Sequence, residues 1–344
     1  MPHGPTDPNR LPSSFAAVAV TAALLLPPLL ALGGCATQPR SDAPPATTPA
    51  YDPHVAWTTD PRTLVMFDGA TGARVTWDDV RARIADADII LLGETHDHTL
   101  THRLQAVVVD ETLVTYPGSA VAMEMLERDH QQAVDAYLAG SIDLATFIER
   151  VGGRRWEYEY VPGGTWENHY QPMIDSAKRT NSRVIAANAP RTYVRLARTD
   201  GFDALLRLPP EQQAYFDVPL VVNDGDYRRR FDNTMAGLPG VAPEINRAND
   251  GVFRSQQTWD ATMATSVVRA WNAGATKVLL AVGAFHVNWK GGIYEQIRQH
   301  APGANIVVIT VVPRWSEVLE EDIAGAGDVV VYAGPSAKRP GDTE

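Results

Sequence analysis

Residues 89–98, IILLGETHDH, decide the fold. Ile89, Ile90, Leu91 and Leu92 are apolar in unbroken succession. A strand with one wet face would alternate, so this run predicts a strand buried on both sides, which is the signature of a parallel sheet covered by helices. Runs of the same kind lie at 120–125, 184–187, 278–282, 306–312 and 329–331. Amphipathic stretches at 76–85, 99–115, 129–138, 167–179, 191–198, 256–272 and 292–300 alternate with them and predict helices, the first opened by a Thr76/Asp79 capping box. The alternation predicts an α/β domain over 61–335: a mainly parallel sheet flanked by helices on both faces. Between about 200 and 251 the rhythm breaks into Pro-, Gly- and Asn-containing turns, which predicts a helical cap inserted between strands.

Outside that domain the composition changes. Residues 36–60 are rich in Pro, Ala and Thr and predict an extended tether, and 336–344 read as a disordered tail. Before the tether, Arg10 precedes an apolar run from Phe15 to Leu32 that ends in Leu32-Gly33-Gly34-Cys35. A positive start, an apolar stretch and small residues before the cut predict a secretory signal over 1–34, and the cysteine directly after resembles a bacterial lipobox. Cys35 is the single cysteine of the chain, so no internal disulfide can form. The expectation is a secreted protein anchored to membrane through lipidated, palmitate-bearing Cys35. In a Gram-negative cell it would face the periplasm or sit in the outer membrane. With 30 Lys and Arg against 41 Asp and Glu, the net charge of -11 excludes a nucleic-acid partner, whose phosphates require a positive field.

Ligands of open α/β sheets bind beyond the carboxyl ends of the strands, and here those ends carry polar groups. Glu94, His96, Asp97 and His98 follow the 89–92 run, Glu124 lies near the end of AVAMEM, Asn188 and Arg191 close VIAANAPR, and His286 closes VLLAVGAFH. Glu94, His96, Glu124, Arg191 and His286 are therefore expected to line one cleft. Two of the ends read Gly-x-x-His, at Gly93 to His96 and at Gly283 to His286, with the glycine expected to supply a tight turn. Gln256 and Asp260, four apart opposite the stripe Trp259, Met263, Val267 and Trp271, are read as a solvated helix face, with the cleft as the alternative. Trp156, Tyr158, Tyr160, Trp166 and Tyr170 form an aromatic region that either walls a pocket or packs under the cap.

Paired Gly-x-x-His motifs, a Glu within the first, a Glu on the next strand and a downstream Arg resemble the Tiki superfamily, which includes erythromycin-esterase-like enzymes. More of the chain is similar to its ChaN-like haem-binding uptake family: GETHDHTLTHRLQ from Gly93, AMEMLERDHQQ from Ala122, HYQPMIDSAK from His169, VIAANAPR from Val184, QQTWDATMA from Gln256 and GAFHVNWKGGI from Gly283, in that order over Asp88 to Ile293. The resemblance implies a protein of iron uptake that binds haem or another iron compound, with a homodimer as one possible assembly. An axial His or Tyr would hold the iron and an Arg would pair with a propionate. Candidates are His96, His98, His102, Arg103, Tyr170 and Arg191, with His98 and His102 four apart on one helical face. The alternative is a metal-dependent hydrolase in the same cleft. There His96 and His286, with Glu94 or Glu124, would hold a divalent Zn, Mn or Co ion with one position open, Arg191 would hold an oxyanion and the other Glu would move a proton.

Overall fold

The structure is a computed structural model that describes residues 50–222, 224–236 and 249–340. The signal, Cys35 and most of the tether lie outside the described residues, as does part of the cap. The order of elements is α1 (Pro53–Thr58), β1 (Val65–Asp68), α2 (Trp77–Asp86), β2 (Ile89–Glu94), α3 (Thr99–Thr115) and β3 (Ala120–Glu127). Then follow α4 (Gln131–Leu138), α5 (Leu144–Arg150), α6 (Trp166–His169), α7 (Gln171–Arg179), β4 (Arg183–Asn188) and α8 (Arg191–Asp200). The cap region holds α9 (Phe202–Leu206), α10 (Pro210–Gln213) and α11 (Asp226–Ala236), and the chain continues through α12 (Asn249–Asn272), β5 (Val278–Gly283), α13 (Ile293–His300), β6 (Ile306–Val312) and β7 (Val329–Tyr332).

The strands form one 7-stranded sheet in the order β1-β7-β6-β2-β5-β3-β4. Every pairing is parallel except β1 with β7. Successive residues of each strand point to opposite faces, and both faces are dry. Ile90, Leu92, Val121, Met123, Leu279 and Ile309 pack under α2, α3 and α7, while Ile89, Leu91, Ala122, Leu280, Val282 and Val308 pack under α12 and α13. That is why the strands read as unbroken apolar runs.

This layering also creates the crevice. After β2 the chain crosses through α3 on one face, and after β5 it crosses through α13 on the other. β2 and β5 are neighbours, with Glu94 opposite Gly283, so their carboxyl ends form a topological switch point where a cleft opens. On the far side of β5, the register of β3 against β4 shifts between Met123 and Glu127, a bulge that bends the strand where Glu124 stands.

Several elements depart from expectation. The 36–60 tether ends early, because Pro53–Thr58 is a helix capped by Asp52 and held by Arg103, whose Nη1 donates to the carbonyls of Ala56 and Thr59, 2.8 Å each. Of the 336–344 segment expected to be a disordered tail, residues 336–340 are described and Arg339 lines the cleft and makes an ion pair with Asp97, while 341–344 lie outside the described residues. Edge strand β1 and helix α5 were not anticipated; at 4 and 7 residues they are too short to show a period. The 167–179 helix is broken at Tyr170, since Pro172 lacks an N–H and its ring crowds the preceding turn, so α7 starts afresh with that proline in its first turn.

Candidate functional site

The cleft at the β2–β5 ends has a volume of about 640 Å³. Its floor is built on Glu94, the last residue of β2 and 2% exposed. Glu94 Oε1 accepts the Nδ1 proton of His96 at 2.6 Å, and Oε2 faces His102 Nδ1 at 2.9 Å. His102 Nε2 in turn donates to the His96 carbonyl at 2.9 Å. His102 thus faces an oxygen at each ring nitrogen. Burial would raise the Glu94 carboxyl, but the imidazoles of His102 and His96 outweigh it and hold it well below the usual carboxylate range.

A matching pair stands across the crevice. His286 Nδ1 lies 2.5 Å from Asp260 Oδ1, and Tyr227 donates its hydroxyl proton to Asp260 Oδ2 at 2.7 Å, while Gln256 donates to the Tyr227 oxygen at 3.0 Å. Burial raises the Asp260 carboxyl despite the pull of His286. His286 is also raised: burial opposes its charge, and Asp260 and Glu124 prevail.

Glu124 joins the pairs. Its Oε2 accepts the Gly283 backbone N–H at 2.6 Å, and its Oε1 lies 3.9 Å from His96 Nε2 and 3.7 Å from His286 Nε2. Each imidazole is therefore oriented by a carboxylate at Nδ1, which leaves Nε2 to carry a proton or meet an electrophile. For His96, burial works against protonation, yet Glu124, Glu94 and Asp97 push the group up to about 9. Its side chain is 34% exposed to the cleft, with the Trp156 ring centred 5.3 Å away.

The glycines of the Gly-x-x-His motifs serve a purpose other than the expected turn. Neither Gly93 nor Gly283 has a positive φ. A Cβ on Gly283 would lie 3.0 Å from His96 Nε2 and 3.4 Å from Glu124 Oε2, so glycine makes room for the close approach of side chains across the strand end.

Among the residues expected to form the cleft, Glu94, His96, Glu124 and His286 meet, and Arg191 does not. Arg191 starts α8 with its guanidinium 57% exposed and Nε 3.7 Å from Glu127, and it lines no part of the cleft. The other haem candidates are corrected by their packing. His98 is the N-cap of α3: its Nδ1 accepts from the Thr101 amide and its Nε2 donates to the Gly334 carbonyl at 2.9 Å. His102 and Tyr170 are fully buried, with ring centres 4.7 Å apart, and Arg103 is spent on α1. Trp166 lies in the core with Tyr170, whereas Tyr158 and Tyr160 reach the wall of the cleft. Gln256 and Asp260 are buried and face the cleft, which overturns the solvated reading, because Tyr227 of α11 covers that side of α12. Sequence reasoning did not single out Phe231, Met235, Tyr227 or Arg339 as parts of the site; a cap residue or a lone arginine in a tail carries no periodic signal.

The fold and this site define an α/β protein with paired carboxylate–imidazole units at the carboxyl edge of its central strands. The chain belongs to the ChaN family of haem-binding uptake proteins in the Tiki superfamily, whose family model matches residues 80–297. A solved structure described as cofacial heme binding to ChaN of Campylobacter jejuni aligns with a TM-score of 0.57 at 20% identity, covering 78% of this chain and 96% of that one. That likeness is one of fold. A mutant of the erythromycin esterase EreC in its open conformation aligns with a TM-score of 0.41 at 12% identity over 79% of this chain and 83% of that one, too distant to bear on function. No curated protein matches the chain.

Proposed function

We propose that this protein binds haem or a related iron compound in the β2–β5 cleft, with His96 as the ligand to iron, and serves iron uptake as a lipoprotein anchored through Cys35. The observation that carries the reading is His96 itself: an imidazole open to the cleft, with Nδ1 committed to Glu94 and Nε2 available. Haem, when bound, supplies an iron centre that accepts an axial donor. The residues present fit such a group. The cleft volume of about 640 Å³ lies within the range of small-molecule sites. Phe231, Met235, Phe285 and Tyr158 offer apolar surface for a macrocycle. Tyr158 and Tyr160 also bring phenols to the wall, but burial raises both, helped by the Glu94 and Asp97 carboxylates at Tyr158 and by Asp97 at Tyr160, which favours His96.

A second reading is favoured by one observation, the convergence of His96 Nε2 and His286 Nε2 on Glu124 Oε1. That donor set suits a divalent ion with an open position and hence metal-assisted hydrolysis. Arg191, remote from the cleft, has no part in it.

Hemin titration of the full chain tests the two. The haem reading expects a Soret band that His96→Ala alters and His286→Ala preserves, with both variants folded. The hydrolase reading expects no hemin response, and stoichiometric zinc, manganese or cobalt lost together in both variants. The anchor is checked by fractionation: Cys35→Ala should leave the membrane fraction, and its retention there unchanged would refute lipidation.

A further inference from the structure

His96 stands on the turn Thr95 to His98 between β2 and α3, which the His98 amide closes by donating to the Thr95 carbonyl at 3.0 Å. From inside the fold, His102 holds the His96 carbonyl. The next two residues are held from far along the chain. Asp97, 2% exposed, accepts at Oδ2 from Arg339 Nε at 2.7 Å and from the Tyr160 hydroxyl at 2.6 Å. His98 Nε2 donates to the Gly334 carbonyl at 2.9 Å. Gly334 and Arg339 thus grip adjacent residues of the turn from a segment that follows β7 and lies beyond the family-matched stretch.

That segment is itself fastened to the fold. The amides of Ala333 and Gly334 donate to the carbonyls of Val312 and Arg314, at 3.0 and 3.1 Å. Gly334 has a φ of +78°, and a Cβ there would lie 2.5 Å from the Trp315 ring, so only glycine lets the chain turn so close to that ring. Ala337, between the two grips, is buried. The turn it holds needs holding. Glu94 fixes the Nδ1 end of the His96 ring, but the ring also swings with the backbone that carries it. Without Arg339, the buried Asp97 carboxylate would keep only the Tyr160 hydroxyl from outside the turn, a costly state in a dry site. Moving Asp97 towards water relieves that cost, and His96, its neighbour, moves with it.

We propose that Arg339 is a positioning residue: with Gly334 it makes residues 334–339 a strap that holds the Thr95–His98 turn and keeps His96 aimed into the cleft. Its consequence for a ligand rests on the haem reading above, because a preorganised donor holds its metal longer than a mobile one. Two measurements on the full chain, Arg339→Ala and Arg339→Lys keep the strap and the haem reading apart. The first is amide hydrogen exchange of the ligand-free protein. The hydrogen-bonded amides of His98 and Thr101 should exchange about fivefold faster in Arg339→Ala, a modest factor because the guanidinium is exposed, and Arg339→Lys should restore most of their protection. Amides of β5 should keep wild-type protection. The second is hemin transfer to apomyoglobin, expected to be about fivefold faster from Arg339→Ala, with a Soret band broadened by mixed ligation and recovered in Arg339→Lys. Unchanged exchange at His98 and Thr101 overturns the strap, and so does equal acceleration across β5, which would make Arg339 a general support of the fold. Faster exchange with unchanged hemin loss overturns its service to His96 while the haem reading stands. A wild-type chain that binds no hemin overturns the haem reading, and the exchange data then decide the strap alone.

Discussion

His96 and His286 at the cleft, and His98 and His169 in the packed interior, are the same side chain under opposite electrostatics. All four are largely withdrawn from water, and burial by itself disfavours the charged imidazole in each. His96 and His286 each have a carboxylate within hydrogen-bond reach of Nδ1, and both are raised. His98 meets a backbone carbonyl and an amide, His169 meets Thr99 and the stacked ring of His102, and both are lowered. Burial is therefore shared, and the neighbouring carboxylate distinguishes a histidine held towards its charged form from one held towards its neutral form.

The contrast breaks most visibly at Glu94, which serves both layers. Glu94→Gln keeps the shape but removes the carboxylate that His96 Nδ1 and His102 Nδ1 both face in a dry site. Removing one partner of a buried pair is expected to cost about 3–5 kcal/mol, read as a lower denaturant midpoint with an unchanged slope. A cost below about 1 kcal/mol would show that the pairing adds little.

Acid titration sharpens the other half of the comparison. In the folded protein His169 is lowered from 6.5 to about 2, by burial first and by His102 second. Between those values the unfolded chain binds a proton that the folded chain refuses, so stability falls as pH falls, by up to about 1.4 kcal/mol per pH unit. Chemical denaturation across the mildly acidic range should show that slope, and His169→Gln should flatten it. An unchanged slope in the variant would assign the acid sensitivity to other groups.

The smallest effect is expected at Arg191. Its guanidinium is exposed and 3.7 Å from Glu127, so Arg191→Ala should change stability by less than about 1 kcal/mol and leave hemin affinity untouched. A large loss of affinity would return Arg191 to the cleft.

Much of this was legible in the sequence, for reasons that differ by element. The central strands announced themselves because both faces of the sheet are covered, and the site residues because Glu94, Glu124 and His286 fall at or just beyond the ends of neighbouring strands. Asp260 was misread because the polar face of a helix looks alike whether water or Tyr227 covers it. Arg191 was misplaced because α8 begins beside β3's Glu127, away from the β2–β5 crevice, and a strand end alone does not say towards which neighbour a side chain leans. His102 was read as a helix-face ligand, but α3 turns that face into the core, where the ring supports Glu94 from behind.

The position of Arg339 has a practical consequence for anyone purifying this protein. A polyhistidine tag fused close behind Arg339 would bring its imidazoles to the rim of the cleft. Its imidazoles would compete for the same iron that the spectra are meant to report, and a low-spin signal could then belong to the tag. An affinity handle without metal-binding side chains, or enzymatic removal of the tag before hemin is added, keeps the cleft's own chemistry visible.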